Sequence, residues 1–206
     1  MTATEQPSLA MSFELIRTRF HDPEFLACRG LGGEVPFYVY PYDAAKEDEV
    51  RSLTASMLED NRAELQADSD NAPRIVCFDL WDVFTGMCEE RGILDKIAKL
   101  EARINDRDKL LKKIQTSTPP ARYIDFMHRR YEELYGGPAR GRDVLLITGV
   151  GKIYPFVRAH NILECLQPVF TSIPVVMFYP GTYDGRQLRL FGTLKDGNYY
   201  RAFNQL

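Results

Sequence analysis

The chain has 206 residues, of which 45% are hydrophobic and 12% aromatic, and this is enough apolar material for one well-formed core. A formal net charge of −3 and an isoelectric point near 5.7 argue against a dedicated nucleic-acid binder, although they allow a local basic patch. The sequence contains no apolar run near the roughly 20 residues that span a bilayer, which argues against a membrane protein.

The amino-terminal part predicts a leader, short helices, one strand and one long helix. Residues 1–10 are polar and are expected to form a disordered leader, with Met11 as an alternative start. The aromatic stretch "VPFYVYPYD" predicts a short strand over residues 37–40 that Pro41 ends. Asp43 is a candidate cap for the next helix, whose apolar positions keep a spacing of three and four: Val50, Leu53, Met57, Leu58 and Leu65.

The middle of the chain combines a buried strand with a long helical stretch. "RIVCFDL", residues 74–80, is nearly continuously apolar, as expected for a strand buried on both faces of a parallel sheet. A helix should follow from Trp81 to Glu90. Residues 93–135 predict a helical insertion that projects from the sheet as an antiparallel hairpin, with Thr118 capping its second helix and Gly136 ending it.

The last third predicts two more buried strands, "DVLLITGVG" and "IPVVMFYPG", with a helix over about 153–166 between them. "QLRLFGTL" predicts an antiparallel strand joined through Tyr183-Asp184-Gly185, and the tail predicts a short aromatic helix. This alternation indicates a single three-layer α/β domain over residues 11–206 with a mostly parallel sheet. The four cysteines are scattered and form no CxxC pair, which is typical of reduced thiols in the cytoplasm.

The segment Gly149-Val150-Gly151-Lys152 follows a strand and resembles part of a P-loop. In the pattern G-x-x-x-x-G-K-[ST], Gly151 and Lys152 fit, but Leu146 replaces the first glycine and Ile153 replaces the hydroxyl that binds magnesium. The fold therefore resembles a P-loop-type domain without an intact Walker A motif. The favoured interpretation is a tight strand-to-helix turn, and the alternative is a nucleotide site formed by Gly149, Gly151, Lys152 and Asp79.

Asp79 and Asp82 stand where a buried strand ends, which is where α/β proteins place their sites. A helix-capping role for one of them is the favoured interpretation. The three histidines are isolated in sequence, and no G-x-S-x-G elbow is present. No catalytic residue, metal site or cofactor is therefore expected.

Aromatic residues cluster in the last quarter of the chain, and tyrosine and arginine are enriched in protein interfaces. We predict a docking surface there, with the following candidates: Tyr154, Phe156, Arg158, Tyr183, Tyr199 and Tyr200. The charges of the helical insertion alternate in sign, so a solvated face is the favoured interpretation. The alternative is contact with DNA through Lys112, Lys113, Arg129 and Arg130.

Three long stretches of the last third, "LLITGVGKIYPFVRAHNILECLQPVF", "IPVVMFYPGTYDG" and "LRLFGTLKDGNYYRAF", closely resemble the BrxB family of BREX bacteriophage-defence systems. "FYVYPYD" and "IVCFDLWDVF" resemble the amino-terminal half of the same family, so the resemblance covers most of residues 11–206. BREX systems methylate host DNA and block phage replication. They combine a methyltransferase, a large ATPase, a PglZ-type protein and small accessory proteins.

The resemblance implies a small accessory protein, because it supplies no catalytic residues to carry over. A non-enzymatic assembly component that binds another BREX protein is therefore expected, with the PglZ-type protein as the favoured partner. DNA would then be reached only indirectly through the complex, and no membrane contact is expected. The alternatives are a P-loop-like protein that binds ATP or GTP and a DNA-binding accessory subunit.

Overall fold

Helices and strands alternate along the computed structural model of the chain, which describes residues 8–29, 36–184, 187–195 and 203–205. The helices are α1 (Leu9–Phe20), α2 (Pro23–Leu26), α3 (Glu47–Ala67), α4 (Leu80–Glu90), α5 (Leu94–Glu101), α6 (Arg107–Ser117), α7 (Pro120–Tyr135), α8 (Val150–Ile153) and α9 (Ala159–Leu166). The strands are β1 (Phe37–Tyr42), β2 (Arg74–Asp79), β3 (Asp143–Thr148), β4 (Val175–Tyr183), β5 (Leu188–Leu190), β6 (Leu194–Lys195) and β7 (Phe203–Gln205). This alternation confirms the predicted α/β class.

The main sheet consists of parallel strands in the order β2-β3-β4-β1-β7. Strand β4 continues past this sheet, and its last three residues, 181–183, pair with β5 in an antiparallel hairpin. Strand β5 then pairs with β6. The hairpin predicted from "QLRLFGTL" is therefore present, and it extends β4 beyond the parallel sheet.

Successive residues of a strand point to opposite faces, so each strand presents apolar side chains on both sides of the sheet. Helices cover both of these faces. On one face, Val76, Leu145 and Met177 pack with α4, α7, α8 and α9. On the other face, Leu146 and Val176 pack with α1, α2 and α3. The arrangement has three layers, and no helix in the described ranges is long and apolar enough to cross a membrane.

Prolines and the chain end account for three differences from the sequence prediction. Strand β1 continues through Pro41, which is tolerated because β7 ends opposite Val39, so no strand of the described residues pairs with Pro41 on that side. The helix predicted over 153–166 is split into α8 and α9, because Pro155 cannot lie inside a helix. The end of the tail, predicted to be helical, forms the parallel strand β7.

The predicted insertion over 93–135 contains three helices instead of a two-helix hairpin. Helix α5 ends at Glu101, and Asp106 starts α6 by accepting hydrogen bonds from the backbone N–H groups of Asp108 and Lys109, each at 3.1 Å. Thr118 does not cap α7: its hydroxyl donates to the carbonyl of Ile114 at 2.8 Å and closes α6. Helix α7 belongs to the layer that covers the sheet, since its apolar face is buried: Tyr123, Ile124, Phe126, Met127 and Tyr131.

Helix α1 begins inside the segment that the sequence predicts to be a leader. Ser8 caps it by accepting a hydrogen bond from the backbone N–H of Met11 at 3.3 Å, and the helix starts at Leu9. Residues 1–7 lie outside the described part of the chain.

Asp143, at the start of β3, is fully buried and holds a polar network together. Its carboxylate accepts two hydrogen bonds from the guanidinium of Arg74 on β2, at 2.9 and 2.5 Å. It also accepts the hydroxyl of Tyr131 on α7 and the backbone N–H of Ala139, each at 2.7 Å. Burial disfavours the charge on Arg74, but the hydrogen bonds that it donates to Asp143 and the negative charge of that carboxylate outweigh this cost and raise the pKa of the guanidinium.

Strand β2 lies at the edge of the sheet, where a side-chain amide takes the place of a neighbouring strand. The amide of Asn61 on α3 donates to the carbonyl of Pro73 at 2.7 Å and accepts the backbone N–H of Ile75 at 3.1 Å. Asn61 is itself buried, with 4% of its surface exposed. These contacts satisfy two backbone groups that would otherwise be left unpaired at the edge.

We expect Asp143→Asn to lower the free energy of unfolding by about 3–5 kcal/mol, because it leaves the guanidinium of Arg74 buried without a counter-charge. Urea denaturation measures this loss. The matched control is Asp60→Asn, which breaks the exposed Arg17–Asp60 pair and should cost under about 1 kcal/mol. Equal costs for the two variants would contradict a special role for the buried network.

We expect Asn61→Ala to cost about 1–3 kcal/mol, because it leaves two backbone groups of the β2 edge unpaired. Asn61→Asp tests the geometry more sharply, since it retains an acceptor for Ile75 and points a second oxygen at the carbonyl of Pro73. It should therefore destabilise at least as much as Asn61→Ala in the same denaturation assay. An aspartate variant as stable as the parent would show that these two hydrogen bonds do not hold the edge.

Candidate functional site

A pocket of about 190 Å³ opens where the parallel strands end at their carboxyl edge, the usual position of sites in α/β sheets. Helix α3 forms its outer wall, and the ends of β1, β2 and β3 form its inner wall. Its polar lining includes Tyr42, Glu47, Asp79, Thr148 and Lys152, and its apolar lining includes Val50, Leu58 and Phe178.

Asp79 ends β2 and makes two contacts at once. One carboxylate oxygen accepts the backbone N–H of Trp81 at 2.9 Å and caps α4, as the sequence predicts for one of the two acids. The other oxygen accepts a hydrogen bond from the ammonium of Lys152 at 2.6 Å. The ion pair is partly shielded from solvent, with 17% of the Asp79 side chain and 37% of the Lys152 side chain exposed.

The two glycines of the turn have different roles. Gly149 has a φ of +75°, and a Cβ atom there would lie 2.3 Å from a carboxylate oxygen of Asp79. Glycine is therefore required at 149 for both backbone conformation and space. Gly151 has an ordinary φ, and its α-carbon faces Pro180 and the ring of Phe191. The structure thus brings Gly149, Lys152 and Asp79 together at the pocket and turns Gly151 towards another surface.

The pocket has little in common with a phosphate cradle. Ile153 occupies the position of the magnesium-binding hydroxyl, and its side chain is buried, with 1% exposed. Lys152 contacts Asp79 within the same site. The pocket volume is also below the 300–1,000 Å³ that is typical of small-molecule sites.

Two further polar groups of the pocket are held neutral. Burial raises the pKa of the Cys77 thiol to about 12, so it is protonated at neutral pH and is a poor nucleophile. Burial, together with a hydrogen bond to Glu47 at 2.5 Å, raises the pKa of the Tyr42 hydroxyl above its usual value. No group of three or more His, Cys, Asp or Glu side chains in the described ranges is placed to hold a metal ion.

The residues predicted to bind a partner divide into three groups. The ring of Phe156 stacks on Phe84 with centroids 5.2 Å apart, and the ring of Tyr154 meets Phe191 edge-on at 6.3 Å. Tyr183 is half-buried on the β4–β5 hairpin, and Arg158 is exposed and donates to the carbonyl of Lys195 at 3.1 Å. Tyr199 and Tyr200 lie outside the described residues.

Comparison with known proteins identifies the family. Residues 76–205 match the family described as "BREX protein BrxB". The chain belongs to the BrxB family. A BREX protein BrxB of Bacillus cereus (strain H3081.97) is 34% identical over 194 residues, which cover 91% of this chain and 92% of the relative. A BREX protein BrxB of Escherichia coli O9:H4 (strain HS) is 28% identical over 197 residues, covering 96% and 91%, and no solved structure matches.

Membership of the BrxB family confirms the resemblance drawn from the sequence and places the chain among BREX proteins. The BrxB names state no reaction, so they assign no catalytic role to Asp79, Lys152 or Cys77. The pocket of this BrxB-family chain therefore has to be interpreted from its own geometry.

Sequence reasoning gave Trp81 no part in the site, and it counted Phe191 in the aromatic cluster of the last quarter without naming it among the candidate docking residues. Trp81 follows the capping acid on α4, is 38% exposed, and lies 6.2 Å from the ring of Phe156. Phe191 is 42% exposed and has a φ of +54° in the turn between β5 and β6. The ring pairs Trp81–Phe156 and Tyr154–Phe191 are joined by the chain segment 154–156, and these four residues are here named the aromatic edge. The sequence does contain a signal for both Trp81 and Phe191, because each is an aromatic residue next to a turn between two elements.

We expect Gly149→Ala to destabilise the protein by more than Gly136→Ala. Both positions have similar positive φ values, +75° and +71°, so alanine costs about 1–2 kcal/mol of backbone strain at either. Only at 149 does the new methyl group collide with Asp79, which adds about 1–3 kcal/mol of overpacking. Urea denaturation of the two variants measures the difference.

The double variant Gly149→Ala/Asp79→Ala separates the two causes. Alanine at 79 removes the Cγ and oxygen atoms that meet the new methyl group, so Gly149→Ala should cost only the backbone strain when Asp79→Ala is the reference. If Gly149→Ala costs as much in the Asp79→Ala background as in the parent, the collision is not the origin of the loss.

Proposed function

We propose that the protein is a non-enzymatic assembly component of a BREX phage-defence complex that docks onto another BREX protein through the aromatic edge. Family membership supports a place in the BREX system. Among the components of such systems, we favour the PglZ-type protein as the partner.

The observation that carries the proposal is the conformation of Phe191. A bulky residue with positive φ costs about 1–2 kcal/mol, whereas asparagine or glycine would make the same turn with less strain. The ring packs on Tyr154 and over Gly151, but 42% of the side chain stays exposed. A strained, half-exposed aromatic ring is what an interface anchor requires, and folding alone gives little reason to keep it.

Trp81 supports the same interpretation. Its ring lies beside Phe84 and Phe156 at 5.6 and 6.2 Å, so it is held in one place before any partner arrives. Preorganised tryptophan and tyrosine side chains lose little conformational entropy on binding and dominate interface energetics.

The chemistry of the neighbouring pocket supports a binding role over a catalytic one. Asp79 and Lys152 neutralise each other, and the Cys77 thiol is protonated. Cysteine attacks as the thiolate, so a protonated Cys77 is not prepared as a nucleophile. Asp79 and Lys152 are engaged with each other, and Asp79 also with the start of α4, so neither is aimed at a reacting group as a general acid or base.

The decisive variant is Phe191→Asn. Asparagine accepts positive φ, so relief of backbone strain should offset much of the lost ring packing and keep the unfolding free energy within about 1 kcal/mol of the parent. Loss of an anchor ring costs about 2 kcal/mol of binding, which weakens capture of the partner roughly 30-fold. The measurement is pull-down of the tagged full chain from cells that carry the complete BREX operon, followed by titration with the purified PglZ-type protein.

The control is Leu15→Ala, which removes an apolar side chain that is 62% exposed on α1. Capture should be unchanged in this variant and reduced in Phe191→Asn and Trp81→Ala. Recovery of no BREX protein by the parent would refute the proposal, and equal recovery by all variants would refute the aromatic edge as the docking surface.

A second candidate function, nucleotide binding, is favoured by the convergence of Asp79, Gly149 and Lys152 beside the pocket. Calorimetry with magnesium and ATP or GTP tests it directly. We expect no binding, and a micromolar affinity that Lys152→Ala abolishes would replace the assembly proposal with this one.

A further inference from the structure

Helices α5 and α6 carry an exposed set of cations that the protein does not use itself. The segment 94–117 contains seven basic and four acidic side chains in a chain of formal net charge −3. All seven basic side chains are exposed: Lys96, Lys99, Arg103, Arg107, Lys109, Lys112 and Lys113. None of them lies within 4.0 Å of a carboxylate in the described part of the chain, where twelve lysine or arginine ion pairs are present elsewhere.

Because of their spacing along α5 and α6, six of these cations lie on the outward face of their helix. On α5 and the turn after it, Lys96, Lys99 and Arg103 are separated by three and four residues and so share one side. On α6, the same rule groups Lys109, Lys112 and Lys113. Two of the acids lie next to these stripes, Asp95 one turn before Lys99 and Asp108 one turn before Lys112, but neither forms an ion pair within 4.0 Å with any described residue. Asp106 is occupied as the cap of α6.

The opposite sides of α5 and α6 pack against the core, so the backbone that carries the cations is held in place. Ile114 of α6 is buried in the core, and Ile97 and Leu110 pack against it. Gln115 also donates to the carbonyl of Pro155 at 2.8 Å. We name the six exposed cations of these two stripes together the basic face.

The basic face differs from the other cations of the predicted insertion. Arg129 and Arg130 on α7 both contact Glu90, at 2.6 and 3.4 Å, and Arg130 also contacts Glu133 at 3.1 Å. Those two arginines are already neutralised, so of the residues considered for DNA contact in the sequence, Lys112 and Lys113 remain available.

We propose that the basic face binds the phosphate backbone of duplex DNA. Exposed lysines and arginines without internal partners are the groups that neutralise phosphates and release counterions. Residues 94–117 contain no aromatic side chain, so the face has no ring on which an unpaired base could stack. A duplex, whose bases are already stacked, fits this surface better than a single strand.

Fluorescence anisotropy of the full chain with a labelled 20-base-pair duplex tests the proposal. Three to six phosphate contacts give a slope of log affinity against log salt of about −3 to −5. The affinity should therefore fall about 6-fold or more when NaCl rises from 50 to 100 mM. The variant Lys109→Glu/Lys112→Glu/Lys113→Glu should bind at least 10-fold more weakly at 50 mM and show a shallower slope.

The control Lys46→Glu/Arg62→Glu/Arg189→Glu makes the same change of net charge at exposed positions elsewhere. It should bind within 2-fold of the parent. An equal loss in both variants would show that net charge alone is responsible, and an affinity independent of salt would overturn the proposal. Thermal melts of both variants exclude loss of folding as the cause.

Other polyanions distinguish the remaining outcomes. A single strand of the same length that binds as tightly as the duplex would overturn the assignment to duplex DNA, and so would a preference for duplex RNA. If the α6 variant binds the duplex normally but no longer captures a BREX protein, the face recognises an acidic protein surface instead. Pull-down by the parent chain is independent of this assay, so failure of one proposal leaves the other intact.

Discussion

The buried carboxylate of Asp143 is the interaction on which the rest of the fold depends. It is fully buried and joins β2, β3, α7 and the turn at Ala139 through four hydrogen bonds. Arg74 and Asp143 are register partners, and five residues further along the same two strands Asp79 is the partner of Thr148. The network at the amino edge therefore sets the alignment that brings Asp79 beside Gly149 at the carboxyl edge. A slip of one residue would send every side chain of β2 to the opposite face.

Much of the fold can be predicted from the sequence because β3 and β4 are continuous apolar runs, as strands buried on both faces require. Strand β2 was predicted to be buried in the same way, but it lies at the edge of the sheet, where Val76 is buried and the other five residues are half-buried. The interruption at Pro155 could also have been predicted, since proline excludes a continuous helix. The network around Asp143 could not, because Arg74 and Tyr131 are far from it in sequence. The third helix of the insertion was missed because the apolar spacing passes through the residues between α5 and α6 without a break.

The candidate site, like the fold, could be predicted from the sequence only in part. The meeting of Asp79 with the turn at Gly149 follows from the rule that parallel strands end at one edge. The contact of Lys152 with Asp79 depends on a backbone conformation that only the structure gives. Exposure of Trp81 and Phe191 was beyond reach of the sequence, because apolar rings are normally assigned to the core and only packing shows which surfaces are left uncovered.

The position of Asn61 at the edge of the sheet affects how readily the chain aggregates at high protein concentration. The open side of a sheet is a template on which a second chain can add a strand, and growth by this route leads to fibres and mispaired assemblies. The amide of Asn61 already occupies the first acceptor and donor on that side, so an incoming strand would have to displace it before zipping along β2. A single neutral side chain thus opposes edge-to-edge pairing at a position where lysine or proline more often has that role. It does so without adding charge to the surface.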